Sequence, residues 1–246
     1  MRLDYYLVKN GYCKSREKAK SLITQGKISV NGTRIFKPSF EVGTSDGLDL
    51  ESNACNITIA RDSSTLLVSR AGAKLLDYMQ KNGIDCALKR VLDVGSSTGG
   101  FAQVLLERGA MEVTCVDVGS NQLDKQLREN PKIRLFEQCD IRKFSSPVRF
   151  DLLVCDVSFI SLSKILDVLI PLSDTYILLF KPQFEVGRGV KRNKKGVIQD
   201  KVAIQERLEA FCLELESRGL VILNIQKSIL KGKEGNEEFF FHIKKS

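Results

Sequence analysis

The sequence predicts an α/β fold, an open and mainly parallel sheet, behind a small α+β module at the N-terminus. Three observations carry that expectation. From about residue 70 onward, short β-branched and aliphatic runs alternate with segments of helical period. Asp93, Asp117, Asp140 and Asp156 stand at or just past the carboxyl ends of successive strand-like runs, where ligands bind in open parallel sheets. The stretch Val91 to Phe101 reads Val-Leu-Asp-Val-Gly-Ser-Ser-Thr-Gly-Gly-Phe, a strand entering a tight glycine-rich turn and then a helix.

Composition bounds the rest. A chain of 246 residues that is 43% hydrophobic holds one mid-sized domain and a small one. The most apolar segment, Ile160 to Phe180, is broken by Lys164, Asp167, Pro171 and Asp174, so no membrane span is expected. The N-terminus lacks the apolar run of an export signal. Seven cysteines are scattered without a Cys-x-x-Cys pair, which argues against disulfides or a zinc site and fits a reducing cytoplasm. No metal is expected. The formal charge of +8 favours an anionic partner, nucleic acid first among them.

Residues 1–60 read as the separate module. Leu3, Leu7 and Val8 have helical spacing, Gly11 stops that turn, and Ser15 can cap a second helix with Ala19, Leu22 and Ile23 on one side. Gly26 to Gly32 alternates like a strand ending in an Asn-Gly turn, with further short strands at Lys37 to Val42 and Leu48 to Leu50. Arg2, Lys14, Arg16, Lys18 and Lys20 can pair with phosphates. The order Arg2-Leu3-Asp4, Ser15-Arg16-Glu17-Lys18-Ala19 and Gly26-Lys27-Ile28-Ser29-Val30-Asn31-Gly32 resembles the S4 RNA-binding domain.

Residues 61–246 form the larger domain, with a linker expected over about 52–68. Ser69 is placed to cap a helix running to about Gly83, on which Lys74 would ordinarily face solvent. After the glycine turn come a helix ending near Gly109, strands at Val113 to Asp117, Ile133 to Phe136 and Phe150 to Asp156, and a helical pattern over Leu162 to Leu172. A strand follows at Thr175 to Phe180, then a glycine-containing basic loop with Arg188, Lys191, Arg192, Lys194 and Lys195. That loop is placed to hold a phosphate backbone. A helix over Ala203 to Leu215 and strands at Leu220 to Ile225 and Phe239 to Ile243 complete the chain.

The segment Asp93-x-Gly-x-x-x-Gly-Gly resembles the first motif of S-adenosylmethionine-dependent methyltransferases. The resemblance implies a Rossmann-like sheet of seven strands, the last antiparallel. It also implies S-adenosyl-L-methionine held by Asp93, Gly95, Ser96, Ser97, Thr98, Gly99, Gly100, Phe101 and Asp156. Asp117 would take the ribose hydroxyls, and Asp140 the adenine amino group with Ile141 beside the ring. Lys74, Asp156, Lys181 and Glu238 resemble the Lys-Asp-Lys-Glu tetrad of the FtsJ-like ribose 2′-O-methyltransferases, and Glu238 is chosen over Glu237 because the family pattern reads Gly-Asn-x-Glu-Phe. With the S4-like module, and with Asp-Val-Ser-Phe-Ile-Ser-Leu from Asp156 and Lys-Pro-Gln-Phe-Glu from Lys181, nearly the whole chain resembles the TlyA (haemolysin A) family.

That resemblance implies 2′-O-methylation of a cytidine ribose in ribosomal RNA, on a ribosomal subunit, in the cytoplasm. Lys181 is the candidate base or proton relay. Neighbouring cations favour its neutral amine, whereas Asp156 and Glu238 favour the ammonium, so the net shift has no sign readable from sequence. His242, the sole histidine, reads as a strand residue. Rival readings are a ribosome-assembly factor with an idle site, a base methyltransferase, and a cytolysin, which would need a membrane-inserting element. Oligomeric state is not legible, a monomer being the default.

Overall fold

The computed structural model describes residues 1–13, 15–24, 26–42, 57–59, 67–187 and 189–246. Its contacts divide the chain into two units, Met1–Leu66 and Leu67–Ser246. Lys14, Arg188, Cys55 and the strand expected at 48–50 lie outside the described residues.

In the first unit, helices α1 (Leu3–Lys9) and α2 (Arg16–Thr24) precede strands β1 (Ile28–Val30) and β2 (Thr33–Ile35). Ser15 caps α2 as expected, its hydroxyl accepting from the Lys18 amide at 3.3 Å. Asn31 and Gly32, both at positive φ, make the two-residue hairpin turn that puts Val30 opposite Thr33. Two expectations are corrected. Lys37 to Val42 is no strand beyond a single bridge from Glu41 to Arg2. Pro38 lacks an N–H, and the segment's carbonyls serve α1 instead: Phe40 and Pro38 accept from the otherwise orphaned amides of Leu3 and Asp4. The linker expected over 52–68 contains strand β3 (Ile57–Ile59), antiparallel to β1 with Ile57 against the small apolar core.

The second unit is a seven-stranded sheet. Helix α3 (Arg70–Lys81) leads to β4 (Arg90–Val94), α4 (Gly100–Glu107), β5 (Glu112–Val116), the single turn α5 (Lys125–Arg128) and β6 (Ile133–Phe136). Then come β7 (Leu152–Cys155), α6 (Leu166–Leu169), β8 (Thr175–Phe180), α7 (Pro182–Glu185), α8 (Lys201–Ser217), β9 (Leu220–Lys227) and β10 (Phe239–Lys245). The order is β6-β5-β4-β7-β8-β10-β9, with β10 antiparallel to both neighbours, so the last strand is inserted against the others. Fully apolar runs make the central strands: Leu152–Cys155 is buried throughout because both sheet faces are covered. One core lies on each face, with Phe180, Phe211 and Phe241 in mutual contact on one and Tyr78, Phe101 and Phe240 on the other.

The helix expected over Leu162 to Leu172 is instead a broken run. α6 is flanked by 3-10 turns at Leu162–Lys164 and Ile170–Leu172, the second containing Pro171, which cannot donate to the preceding turn. Directly after Lys181, α7 is a short turn that sequence periodicity does not reveal, opened by Pro182 at a position where a missing N–H costs nothing.

Candidate active site

The carboxyl ends of β4, β5, β7 and β8 gather the predicted residues on one edge of the sheet. Asp93, inside β4, is fully buried, and neither carboxylate oxygen has a hydrogen-bond partner. Burial, then the charges of Asp156 and Asp117, push its pKa well above the usual carboxylate range. The Ala102 amide offsets a little of that cost without meeting hydrogen-bond geometry. Behind it Gly95 sits at φ +81°, and a Cβ there would lie 2.7 Å from the Asp156 carbonyl oxygen, so only glycine lets the two strand ends close up. The buried hydroxyl of Ser96 is also without a partner. Asp117 accepts from the amides of Ser97 at 2.8 Å and Gly119 at 2.7 Å, which fixes its carboxylate at the rim of the turn. Beside it in sequence Val118 is 72% exposed.

Converging carboxylates, one of them buried and unpaired, suit a ligand carrying positive charge. The sulfonium and ammonium of S-adenosylmethionine carry such charge, and the unpaired buried Asp93 carboxylate beside a glycine turn is chemically compatible with that molecule. Two predicted contacts have other employment. Asp140 caps the 3-10 turn Ile141–Lys143 and pairs with the Arg142 guanidinium at 2.5 Å, which holds its pKa down at about 2. The Phe101 ring faces the core against Phe240, leaving its backbone alone at the helix start.

The tetrad residues form two ion pairs. Lys74, expected to face solvent on sequence pattern, is buried on α3 and donates to Glu238 at 2.5 Å. Lys181 lies 2.5 Å from Asp156, and donates a hydrogen bond to the Ser158 hydroxyl at 3.0 Å. Sheet register relates the pairs: Phe239 lies opposite Phe180, so Glu238 and Lys181 extend adjacent antiparallel strands side by side. Glu237 turns the other way and pairs with Lys227. His242 sits opposite Ile177 in mid-sheet, with its pKa lowered by burial.

Three features at this edge escaped sequence reasoning. Phe159 holds φ +67°, an outlier for an aromatic residue, and its ring is 91% exposed, 5.3 Å from that of Phe184. Such a backbone costs about 1–3 kcal/mol. Ser158 is the second partner of Lys181. Glu185, its side chain 1% exposed, accepts from Ser161 Oγ at 2.6 Å and the Leu162 amide at 2.7 Å, with Arg207 3.5 Å away.

The predicted cations sort differently. Arg2 and Arg16 both bind the buried Asp4 carboxylate at 3.0 Å, and its pKa is held down at about 2, the Arg2 hydrogen bond foremost. Each guanidinium stays about half exposed, fixed in direction by its partner. Lys20 pairs with Glu17, and burial lowers the Lys18 pKa. Arg192 donates to the carbonyls of Gly187 and Val190, shaping its own loop, while Lys191, Lys194 and Lys195 point outward. Among the described residues no cluster could hold a metal, and no helix is long and apolar enough to cross a membrane.

Sheet order, glycine turn and paired lysines together define a class, the S-adenosylmethionine-dependent methyltransferases of FtsJ-like type. Residues 67–245 match the FtsJ-like methyltransferase family, and residues 1–48 match the S4 domain. The chain is 43% identical to the Campylobacter jejuni 23S rRNA (cytidine-2′-O)-methyltransferase TlyA over the whole of both chains. It is 34% identical to the Mycobacterium tuberculosis 16S/23S rRNA (cytidine-2′-O)-methyltransferase TlyA, covering 99% of this chain and 89% of that one. A solved structure from Streptococcus thermophilus that carries a hemolysin name, 30% identical, superposes with a TM-score of 0.73 over 100% of this chain and 88% of its own. The chain belongs to the TlyA family of FtsJ-like methyltransferases.

Proposed function

We propose that the protein transfers a methyl group from S-adenosylmethionine to the 2′-hydroxyl of a cytidine ribose in ribosomal RNA, working in the cytoplasm on a ribosomal subunit. The observation that carries this reading is the pairing of two buried lysines with two carboxylates beside the three-acid glycine cradle. When bound, S-adenosylmethionine supplies an electrophilic methyl group. The chain's task is to hold the ribose hydroxyl in line and accept its proton. Lys181 is the residue for that proton: its ammonium, oriented by Asp156, first releases a proton through Ser158, itself exposed, to water, and the neutral amine then takes the proton of the hydroxyl. Lys74 and Glu238 fix the far wall, and breaking that buried pair leaves one charge uncompensated. Most of the rate comes from positioning.

The S4-like unit supplies RNA affinity through Arg2 and Arg16, held ready by Asp4. Phe159 is the platform on which the target base, turned out of its helix, stacks. Phe159→Ala is expected to raise the KM for rRNA by about tenfold, the equivalent of one lost stack, while S-adenosylmethionine binding stays as in the parent; steady-state kinetics with each substrate varied check this.

Asp93 links cofactor binding to pH. Its elevated pKa means that acid protonates it in the empty site. A cationic ligand prefers the ionised form, so affinity for S-adenosylmethionine should weaken as pH falls and flatten in Asp93→Asn. Calorimetric titration across pH 5 to 8 measures the slope, and equal slopes in both proteins would count against Asp93 as the cation's partner. The overall reading is tested by incubating the purified protein with unmodified rRNA and labelled cofactor, then mapping the product by mass spectrometry. Label on a base, or none, overturns it.

A further inference from the structure

Two lysine-rich loops outside the tetrad are built into one surface next to Glu238. The first is the hairpin around Gly196, closed by the Arg192–Ile198 bridge and by Asn193, whose side-chain oxygen accepts from the amides of Lys195 and Val197. The second is the Lys-Gly-Lys-Glu-Gly turn from Lys231 to Gly235. Asn236 joins them. Its side chain is buried, accepting from the Ile198 amide at 3.0 Å and donating to the Gly196 carbonyl at 3.3 Å, while its own carbonyl accepts from Gly232 at 2.8 Å. The turn lies on the reaction site, since a Cβ on Gly232 would stand 2.6 Å from Glu238 Oε1. Arg70, one helical turn before Lys74, donates to the Lys231 carbonyl at 3.1 Å.

Lys191, Lys194, Lys195, Lys231 and Lys233 are exposed and make no ion pair among the described residues, and Glu234 is the one acid within the two loops. After Lys227, Lys231 helps to hold the Glu237 carboxylate below the usual range, yet the five ammonium groups outnumber the acids of these loops, an excess that attracts an anion. An Asn amide satisfied on both sides is what such an arrangement requires, because it fixes the spacing without neutralising the charge.

We propose that the hairpin and the Lys231–Gly235 turn form one seat for the phosphates of the RNA strand flanking the methylated ribose, with Asn236 as the staple that sets their spacing. This rests on the rRNA methyltransferase reading and adds where the substrate strand lies. Phosphate contacts set register and carry no sequence information, so the seat positions the ribose and leaves choice of nucleotide to RNA shape.

The test uses the full-length protein and rRNA purified from cells lacking the enzyme. Lys231→Gln/Lys233→Gln should raise the KM for that rRNA by about tenfold and make the log–log dependence of RNA affinity on salt shallower by about 1.5, one increment per lost phosphate contact. Affinity for S-adenosylmethionine should not move. Asn236→Ala keeps every charge and should still raise the RNA KM by about three- to tenfold. A parental salt slope and KM in the lysine variant, or a parental KM in Asn236→Ala, overturns the seat. Failure of the unaltered protein to bind or methylate rRNA is a separate result, and it strikes the methyltransferase reading instead.

Discussion

Lys181→Ala should lower the turnover number for rRNA methylation by about 10²–10⁴-fold, the usual worth of a positioned proton-transfer group. S-adenosylmethionine binding and the folded state should survive. The expectation follows from where the residue stands. Lys181 closes β8, its amine is held between Asp156 and Ser158, and the Glu238 segment runs alongside. Cutting the side chain at Cβ removes both the amine proposed to carry the proton and the cation that offsets Asp156, but it leaves the glycine turn, Asp93 and Asp117 in place. Lys181→Arg divides the two roles. Arginine keeps the charge and cannot give up its proton near neutral pH, so a dead Arg variant marks a proton carrier, and a recovered one marks an orienting cation. Single-turnover methylation alongside calorimetric cofactor titration reads both, and parental turnover in Lys181→Ala would remove the residue from the chemistry.

The sheet was legible because buried parallel strands leave a blunt record. Leu152–Cys155 and Tyr176–Phe180 admit almost no polar residue, and an acid after such a run has few structural reasons to be there. Lys74 was legible only through resemblance, for nothing in the pattern of α3 distinguishes a buried lysine from a solvated one until Glu238, 164 positions later, is folded against it. What stayed hidden depends on geometry rather than on residue type. The three residues of β3 become a strand by pairing with β1, and their own period is too short to announce it. Phe159 reads as an ordinary aromatic after a strand, and its positive φ exists only in the backbone. Asp140 shows the reverse case. An acid at the right distance past β6 matched the cofactor pattern, yet it sits two residues before Arg142 and takes the local partner.

Glu185→Ala should cost about 10²-fold in turnover without touching a reacting atom. The two segments proposed to carry the chemistry, Asp156 to Leu162 after β7 and Lys181 to Glu185 after β8, are tied at three levels: Lys181 to Asp156 and Ser158, Phe184 to Phe159, and Glu185 to Ser161 and Leu162. The last is the anchor, because Arg207 on α8 holds it from behind. Arg207 donates to the Glu185 backbone carbonyl at 3.2 Å and to Ser163 Oγ at 2.5 Å, and pairs with Glu214 at 3.0 Å. Removing the carboxylate orphans the buried Leu162 amide, a stability loss of about 1–3 kcal/mol, while Arg207 keeps Glu214 as its counter-charge. Displacement of the Lys181 segment by about 1 Å then accounts for the rate. Burial holds the Glu185 pKa above the usual carboxylate range, and the Ser161 and Leu162 donors only partly offset it. Glutamine keeps an oxygen that can accept from the Leu162 amide, so Glu185→Gln should lose less than Glu185→Ala in both rate and melting temperature. Measured well below the melting temperature, a positioning role predicts a fall in kcat with an unchanged KM for S-adenosylmethionine; a purely structural role predicts parental kcat in whatever fraction remains folded.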